Sequence, residues 1–410
     1  MANAIRFSIM NKFYFMKKQS NLKIALLGMF GGMWQEYNPG CFLVGYKTYC
    51  EMKKRFPKEK IDLFAIQNRL NSNKIIKENK FGLMPLIFFS RQIQIRLLEN
   101  VLSEYDALII GGDIVWGGDD VVEDNDIFFV NSKKFIASKK TKVLFNCIHT
   151  FYDDRRIQLM KEKFQQACSR ACYISVRTKP IKERLKKLGI KQKIHFVPDI
   201  VLDLDLKKIR NMNLPIAKTN KPKLGIAVRS KLVNELIEAL KNIDLDKYEV
   251  YCFAYSQQYD NLKTVREIKN VFKDKFHYLE KYYNPIESFK LIGSFNFLIN
   301  DTFHGIIAAA LQDIPFISID VEPEKTSRKD QLLESLGVNK KWNIRIEYHN
   351  PKNAGILSKE INNLLHNKFM INRKKIETSQ RLIKKHFDMM EKIIKGHARK
   401  PSIVPMPRRK

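Results

Sequence analysis

The stretch from Asn296 to Asp320 restricts the fold more than any other part of the chain. It holds an apolar run (Phe297 to Ile299), a short polar turn carrying Asp301 and His304, a helical stretch, and a second apolar run (Phe316 to Ile319). Between the runs, Phe303, Ile306, Ile307, Ala310, Leu311 and Ile314 recur with the spacing of one helix face. Two apolar runs joined through a helix predict a strand–helix–strand unit of a parallel sheet, since parallel neighbours need a long crossover. In open sheets of this kind ligands sit beyond the carboxyl ends of the strands, which is where this turn falls.

The same rhythm extends over most of the chain. Strands are predicted at Lys23 to Gly28, Ile61 to Ile66, Ala107 to Gly111, Lys142 to Ile148, Cys172 to Arg177 and His195 to Val197. Helical spacing lies between them at Phe42 to Phe56, Arg155 to Ser169 and Pro180 to Leu188. After Leu206 to Lys223, which is poor in apolar periodicity and carries two prolines, a second series follows: Leu224 to Val228, Tyr248 to Ala254, the 297–319 unit and a weaker Ile344 to Ile346. At 410 residues, 44% of them hydrophobic, the chain exceeds one ordinary core and can fill two. The expected organisation is a basic extension at 1–21, a first α/β domain at 22–205, a linker at 206–223, a second α/β domain at 224–350, C-terminal helices at 351–396 and a basic tail at 397–410. A C-terminal helix is expected to cross back and brace the first domain.

Charge and cysteine usage narrow the setting. With 74 Lys and Arg against 43 Asp and Glu, the formal charge of +31 favours anionic partners: phosphorylated small molecules, anionic lipid or nucleic acid. The basic residues are spread along the chain and no RNA- or DNA-reading motif is present, which argues against specific nucleic-acid recognition. None of the six cysteines forms a C-x-x-C pair, and Cys168 and Cys172 are expected as reduced thiols on one helix, in keeping with a reducing cytoplasm. No metal-ligand spacing stands out. The first 20 residues are interrupted by Arg6, Lys12, Lys17 and Lys18, which argues against a spanning helix there and leaves an upstream-start extension, a disordered arm or a basic amphipathic membrane contact. A cationic helix such as Pro180 to Lys193 offers a second peripheral contact with the inner face of the cytoplasmic membrane.

If both sheets aim their carboxyl edges at a shared cleft, the residues after each strand become the candidate ligands. These are Gly111, Gly112 and Asp113, His149, Arg177, Asp199, Arg229, Asp301 with His304, and Glu322, Lys325 and Arg328. His304 lies in a first helical turn, where an imidazole can pass protons near neutral pH. Asp301, three residues before it, either accepts from a ring nitrogen and fixes the tautomer or caps the helix. Gly305 beside it admits close approach of a ligand. Arg177, Arg229, Lys325 and Arg328 suit a doubly anionic substrate, guanidinium binding carboxylate or phosphate through paired N–H bonds. The first loop, with Trp34 and Asn38, has glycines without regular G-x-G-x-x-G spacing, so a dinucleotide is disfavoured; Trp34 either stacks on a sugar or packs against its own loop.

These residues resemble the polysaccharide pyruvyl transferase family. The similarity runs through Lys23 to Gly28 with Asn38-Pro-Gly40, Asp106 to Gly112, Ser175-Val-Arg177, Val197-Pro-Asp199, Gly225 to Arg229, and Ile299 to Gly305 continuing to Pro315. The chain departs from it with Thr302 in place of Arg, Asp113 in place of a third Gly, and Cys41 and Thr178 in place of acidic residues. The resemblance implies two doubly wound Rossmann-like domains facing a cleft in a GT-B-like arrangement. It further implies transfer of the enolpyruvyl group of phosphoenolpyruvate, without a cofactor, to a saccharide or lipid-linked oligosaccharide acceptor. His304 with Asp301 would then be the catalytic pair, Arg177, Arg229, Lys325 and Arg328 the donor side, and Trp34, Asn38, Gly111, Gly112, Asp113 and His149 the acceptor side. A sugar-nucleotide-dependent glycosyltransferase and a catalytically silent binding module share the same cleft and cations.

Overall fold

A computed structural model of the chain describes residues 22–28, 39–67, 87–90, 103–111, 141–148, 158, 161–206, 214–256, 261–321, 328–347 and 350–396. The first half alternates β1 (Lys23–Gly28), α1 (Pro39–Arg55), β2 (Lys60–Gln67), β3 (Ile87–Ser90), β4 (Ala107–Gly111), β5 (Lys142–Ile148), α2 (Lys161–Arg170), β6 (Ala171–Val176), α3 (Lys179–Lys187) and β7 (Ile194–Phe196). Its seven strands form one parallel sheet in the order β3-β2-β1-β4-β5-β6-β7. The chain reverses its direction of travel across this sheet between β1 and β4, the position where such folds open a crevice.

Side chains alternate between the two faces along β1, β4 and the first part of β5, as the pleat requires. Ile24, Leu26, Ala107, Ile109 and Leu144 point to one face, shared with α1 and continuous with the core of the second half. Ala25, Leu27, Leu108, Ile110 and Phe145 point to the other, where Phe164 and Cys168 of α2 and Ile181 and Leu185 of α3 cover them. Burial on both faces explains why these strands read as unbroken apolar runs.

The second half holds β8 (Lys223–Ala227), α4 (Val233–Lys241), β9 (Glu249–Ala254), α5 (Asn261–Phe272), β10 (His277–Tyr282), α6 (Pro285–Ile292), β11 (Phe297–Asn300), α7 (Phe303–Leu311), β12 (Phe316–Asp320), α8 (Arg328–Leu336) and β13 (Asn343–Arg345). Its six strands are also all parallel, ordered β10-β9-β8-β11-β12-β13, with the reversal between β8 and β11. The fold is therefore two doubly wound parallel sheets, followed by α9 (Asn353–Leu365) and α10 (Arg373–Ile394).

Three expectations need correction. Strands β3 and β10 were not foreseen; both are edge strands, and β10 buries only Leu279, so it lacks the apolar run of a central strand. Cys168 lies on α2 and Cys172 on β6, so they do not share a helix, although both are free thiols. Helix α7 is not a one-faced helix: residues 304–310 are all buried, because the second sheet lies on one side and α1 of the first domain on the other, while Ile314 falls beyond its end.

Helix α10 does cross to the first domain. Asn372 caps it, accepting from Lys375 N–H, and the Asn372 N–H donates to Leu336 O (3.1 Å), which ties the helix start to the second domain. Further along, Gln380 Nε2 donates to Leu202 O (3.0 Å), Arg55 pairs with Asp388 (2.8 Å) and Lys142 Nζ donates to Ile394 O (2.9 Å), all in the first domain. At its middle the fully buried His386 sits between Asn146 Oδ1 (2.7 Å from Nε2) and Tyr173 Oη (2.8 Å from Nδ1).

Burial, followed by the nearby His195 and Arg55, holds the His386 ring neutral, its pKa lowered from 6.5 to about 3. The unfolded chain takes up that proton near the ordinary value, so between the two the unfolded state binds more protons and stability falls as pH falls. Urea unfolding is expected to show a loss of roughly 2 kcal/mol between about pH 7 and pH 5 from this group. His386→Gln keeps hydrogen-bonding capacity without a proton to gain, and is expected to remove that part of the slope.

Candidate active site

Two turns of the first domain and one helix of the second meet at a buried carboxylate. After β7, Val197 and Pro198 lead to Asp199, whose side chain opens a short helical turn at Ile200–Asp203; Oδ1 accepts from Val201 N–H (3.0 Å). After β6, Arg177 precedes α3, and its Nη1 donates to Asp199 Oδ2 (3.1 Å). From the second domain, His304 in the first turn of α7 brings Nε2 to 3.4 Å from the same oxygen. The Asp199 side chain is 2% exposed and those of Arg177 and His304 are each 6% exposed. Burial pushes the Asp199 pKa up, but His304, Arg177 and the Val201 amide outweigh it, so the group stays below the usual carboxylate range.

At 3.4 Å and poorly aligned, the Asp199–His304 contact is an ion-pair distance rather than a formed hydrogen bond, and Nε2 has no hydrogen-bond partner. A buried ring nitrogen in that condition is uncommon. On its other side the imidazole lies against Gly40, in the first turn of α1: a Cβ at that position would sit 1.8 Å from His304 Nδ1. Gly40 is thus the seat of the ring across the domain boundary.

Beside this contact opens a cavity of about 290 Å³, walled by both domains and α10. The first domain lines it with Arg177, Lys179 and Asp199, the second with Phe303, Arg328 and Glu334, and α10 with Lys375, Ser379 and Leu382. Four cationic side chains against two acidic ones leave a positive lining. The Phe303 ring lies 5.9 Å from Arg177 Cζ, so the guanidinium is held between an aromatic face and a carboxylate. His304 itself is not a lining residue, but Asp199, 3.4 Å from its Nε2, is.

Of the residues foreseen from sequence, the structure brings His304, Arg177, Asp199 and Arg328 to this junction. Asp301 serves differently from either expectation. Its fully buried carboxylate is taken by Arg229, through Nε (2.5 Å) and the backbone N–H (3.1 Å), because β8 and β11 are neighbours and end side by side. Thr302, not Asp301, caps α7 by accepting from Gly305 N–H (3.2 Å). Arg229 does not line the cavity. Gly305 leaves room for no ligand: the Asn300 side chain occupies it, 2.6 Å from where a Cβ would stand. Gly111 is likewise closed off, by the backbone of Asn146 on β5. Lys325, Trp34, Asn38, Gly112, Asp113 and His149 lie outside the described residues. Lys375, Lys179 and Ser379 were missed; nothing in a solvated basic helix signals which lysine will face a cavity.

Residues 33–323 match the family described as polysaccharide pyruvyl transferase, about the same span over which the motifs run. The chain belongs to that family. No curated protein matches it in sequence. Among solved structures, this family member is similar to UDP-GlcNAc 2-epimerase from Methanocaldococcus jannaschii, with 15% identity, a TM-score of 0.56 and coverage of 89% of this chain and 99% of that one. UDP-GlcNAc 2-epimerase from Neisseria meningitidis, in a structure bound to UDP-GlcNAc, gives 9% identity, a TM-score of 0.57 and coverage of 90% and 99%. At such identity the likeness is one of fold, and it places this pyruvyl transferase family member among two-domain Rossmann-like proteins.

Two substitutions probe the junction. Gly40→Ala forces the imidazole aside and is expected to cost about 1–3 kcal/mol in urea unfolding, and close to nothing in a His304→Ala background, where the added methyl has room. Asp199→Asn leaves the Arg177 guanidinium without its anion and is expected to cost about 3 kcal/mol. Since the folded-state pKa of Asp199 is lowered, its contribution is complete above the ordinary Asp value and is lost as pH falls through the lowered one. The gap between wild type and Asp199→Asn is therefore expected to close only below about pH 4, and equal stabilities at neutral pH would contradict the buried pair.

Proposed function

We propose that the chain transfers the enolpyruvyl group of phosphoenolpyruvate to two hydroxyls of a sugar, on a cell-surface glycan or its lipid-linked precursor, as a ketal. The observation that carries this reading is the buried His304 Nε2, without a hydrogen-bond partner, behind a cavity whose lining is rich in cations. Membership of the family supports a transferase acting on saccharide.

The chemistry matches what these groups can supply. A proton added to the methylene carbon of phosphoenolpyruvate gives a methyl group and a cation-like centre at the carbon bearing carboxylate and phosphate. One sugar hydroxyl adds there and loses its proton to the base; phosphate leaves as a second hydroxyl adds, and that second proton departs with the phosphate. One molecule of donor and two hydroxyls thus yield a ketal and inorganic phosphate. The step needs cations for carboxylate and phosphate, and one group that first gives and then takes a proton. Arg177 and Arg328 are the donor clamp, with Lys375 beside them, and His304 is the acid and base.

The Arg177–Asp199–His304 arrangement links donor binding to the position of the acid. A donor anion that takes up the Arg177 guanidinium leaves Asp199 Oδ2 with His304 as its remaining side-chain partner. Nε2 lies 3.4 Å from Asp199, a lining residue, and proton transfer to the donor requires a shift of the domains at the Gly40 contact.

Phosphate release from phosphoenolpyruvate against a panel of glycosides tests the proposal. His304→Ala is expected to lower the rate by about two to four orders of magnitude with the fold intact; release that persists in the variant with a true acceptor rejects His304 as the acid and base. Thermal shift decides between donors. Stabilisation by phosphoenolpyruvate fits this reading, whereas stabilisation by a nucleoside diphosphate sugar alone favours a glycosyltransferase.

A further inference from the structure

We infer that the outer face of α10 is a docking surface for an anionic lipid bilayer. Lys374, Arg381, Lys385 and Lys392 are all exposed and fall within an arc of roughly 40° along some 27 Å of helix. None of the four forms an ion pair among the described residues. Of the acidic groups on the same flank, Asp388 is paired with Arg55 and the exposed Glu377 lies between Lys374 and Arg381, so the stripe is most basic from Arg381 to Lys392.

Two large apolar side chains border this stripe on the side leading to the cavity: Leu382, 40% exposed, and Met389, 42% exposed. Leu382 is also a lining residue, so the basic stripe, the apolar edge and the cavity mouth follow one another around the helix. Lysines near an anionic bilayer gain electrostatic attraction, and aliphatic side chains beside them enter the headgroup boundary. The apolar edge is what distinguishes lipid from nucleic acid: single strands and bases are held by stacking on aromatic rings, and the exposed large hydrophobic residues described are Val271, Ile356, Met370, Leu382 and Met389, none of them aromatic. No described helix is long and apolar enough to cross a membrane, so this contact is peripheral. It is independent of the reaction at the cavity.

Sedimentation of the full chain with phosphatidylcholine vesicles, with and without phosphatidylglycerol, tests the surface. Binding is expected only with phosphatidylglycerol. Each lysine near such a surface is worth roughly fivefold, so Lys385→Ala with Lys392→Ala is expected to weaken binding about thirtyfold. Leu382→Ser with Met389→Ser is expected to weaken it as well and to remove the part that resists added salt. Unchanged melting temperatures verify that both double variants fold. Absence of binding to anionic vesicles, or binding that either pair of substitutions leaves intact, overturns the inference. So does duplex DNA binding that the lysine pair weakens equally while the apolar pair leaves vesicle binding unaltered, because the stripe would then be a general polyanion site.

Discussion

One oxygen of one carboxylate joins the two halves of this molecule beside the cavity between them. Asp199 Oδ2 is shared by Arg177 of its own domain and His304 of the other. An ionised carboxylate this deeply buried is costly unless cations and N–H groups replace the water it loses, and here they come from three separate segments. The relative placement of the domains is therefore part of the electrostatic solution. Moving them apart withdraws the imidazole from a buried anion, and moving them closer is blocked by the ring resting on Gly40.

The same pressure appears along α10, met with neutral groups. His386, kept uncharged by burial, bridges Asn146 and Tyr173, and Asn146 in turn donates to Thr48 Oγ1 (3.0 Å). The next residue, Cys147, adopts a positive φ of 50°, and the β5–β6 register slips there, so β5 bends where the helix docks. By anchoring the middle of α10 to the first domain while Asn372 anchors its start to the second, the fold stretches one helix across the domain boundary and gives the cavity a third wall.

Much of the architecture was legible because it depends on contiguous segments. Doubly buried strands announce themselves as apolar runs, and β1, β4 and β5 have the expected bounds. Pairings across the fold were not legible. The spacing of Asp301 and His304 suggested a local pair, but only strand order reveals that Arg229 ends beside Asp301 and that the imidazole finds its carboxylate in Asp199, far away in sequence. Glycine was misleading for a related reason. At Gly40, Gly111 and Gly305 the missing side chain admits His304, the Asn146 backbone and the Asn300 side chain, neighbours that a sequence does not name. A run that permits close approach looks the same whether a ligand or another part of the protein fills the space.

The cations divide into two kinds by what they face. Arg229 is committed to Asp301, and its work is to fix the ends of β8 and β11. Arg177 has a carboxylate on one side, an aromatic ring on another and the cavity on a third. The cavity presents a positive lining beside Asp199, and the His304 imidazole meets the same carboxylate from the second domain. Both properties depend on the domains meeting as they do, because the cavity walls and the ring's two supports come from opposite sides of the boundary.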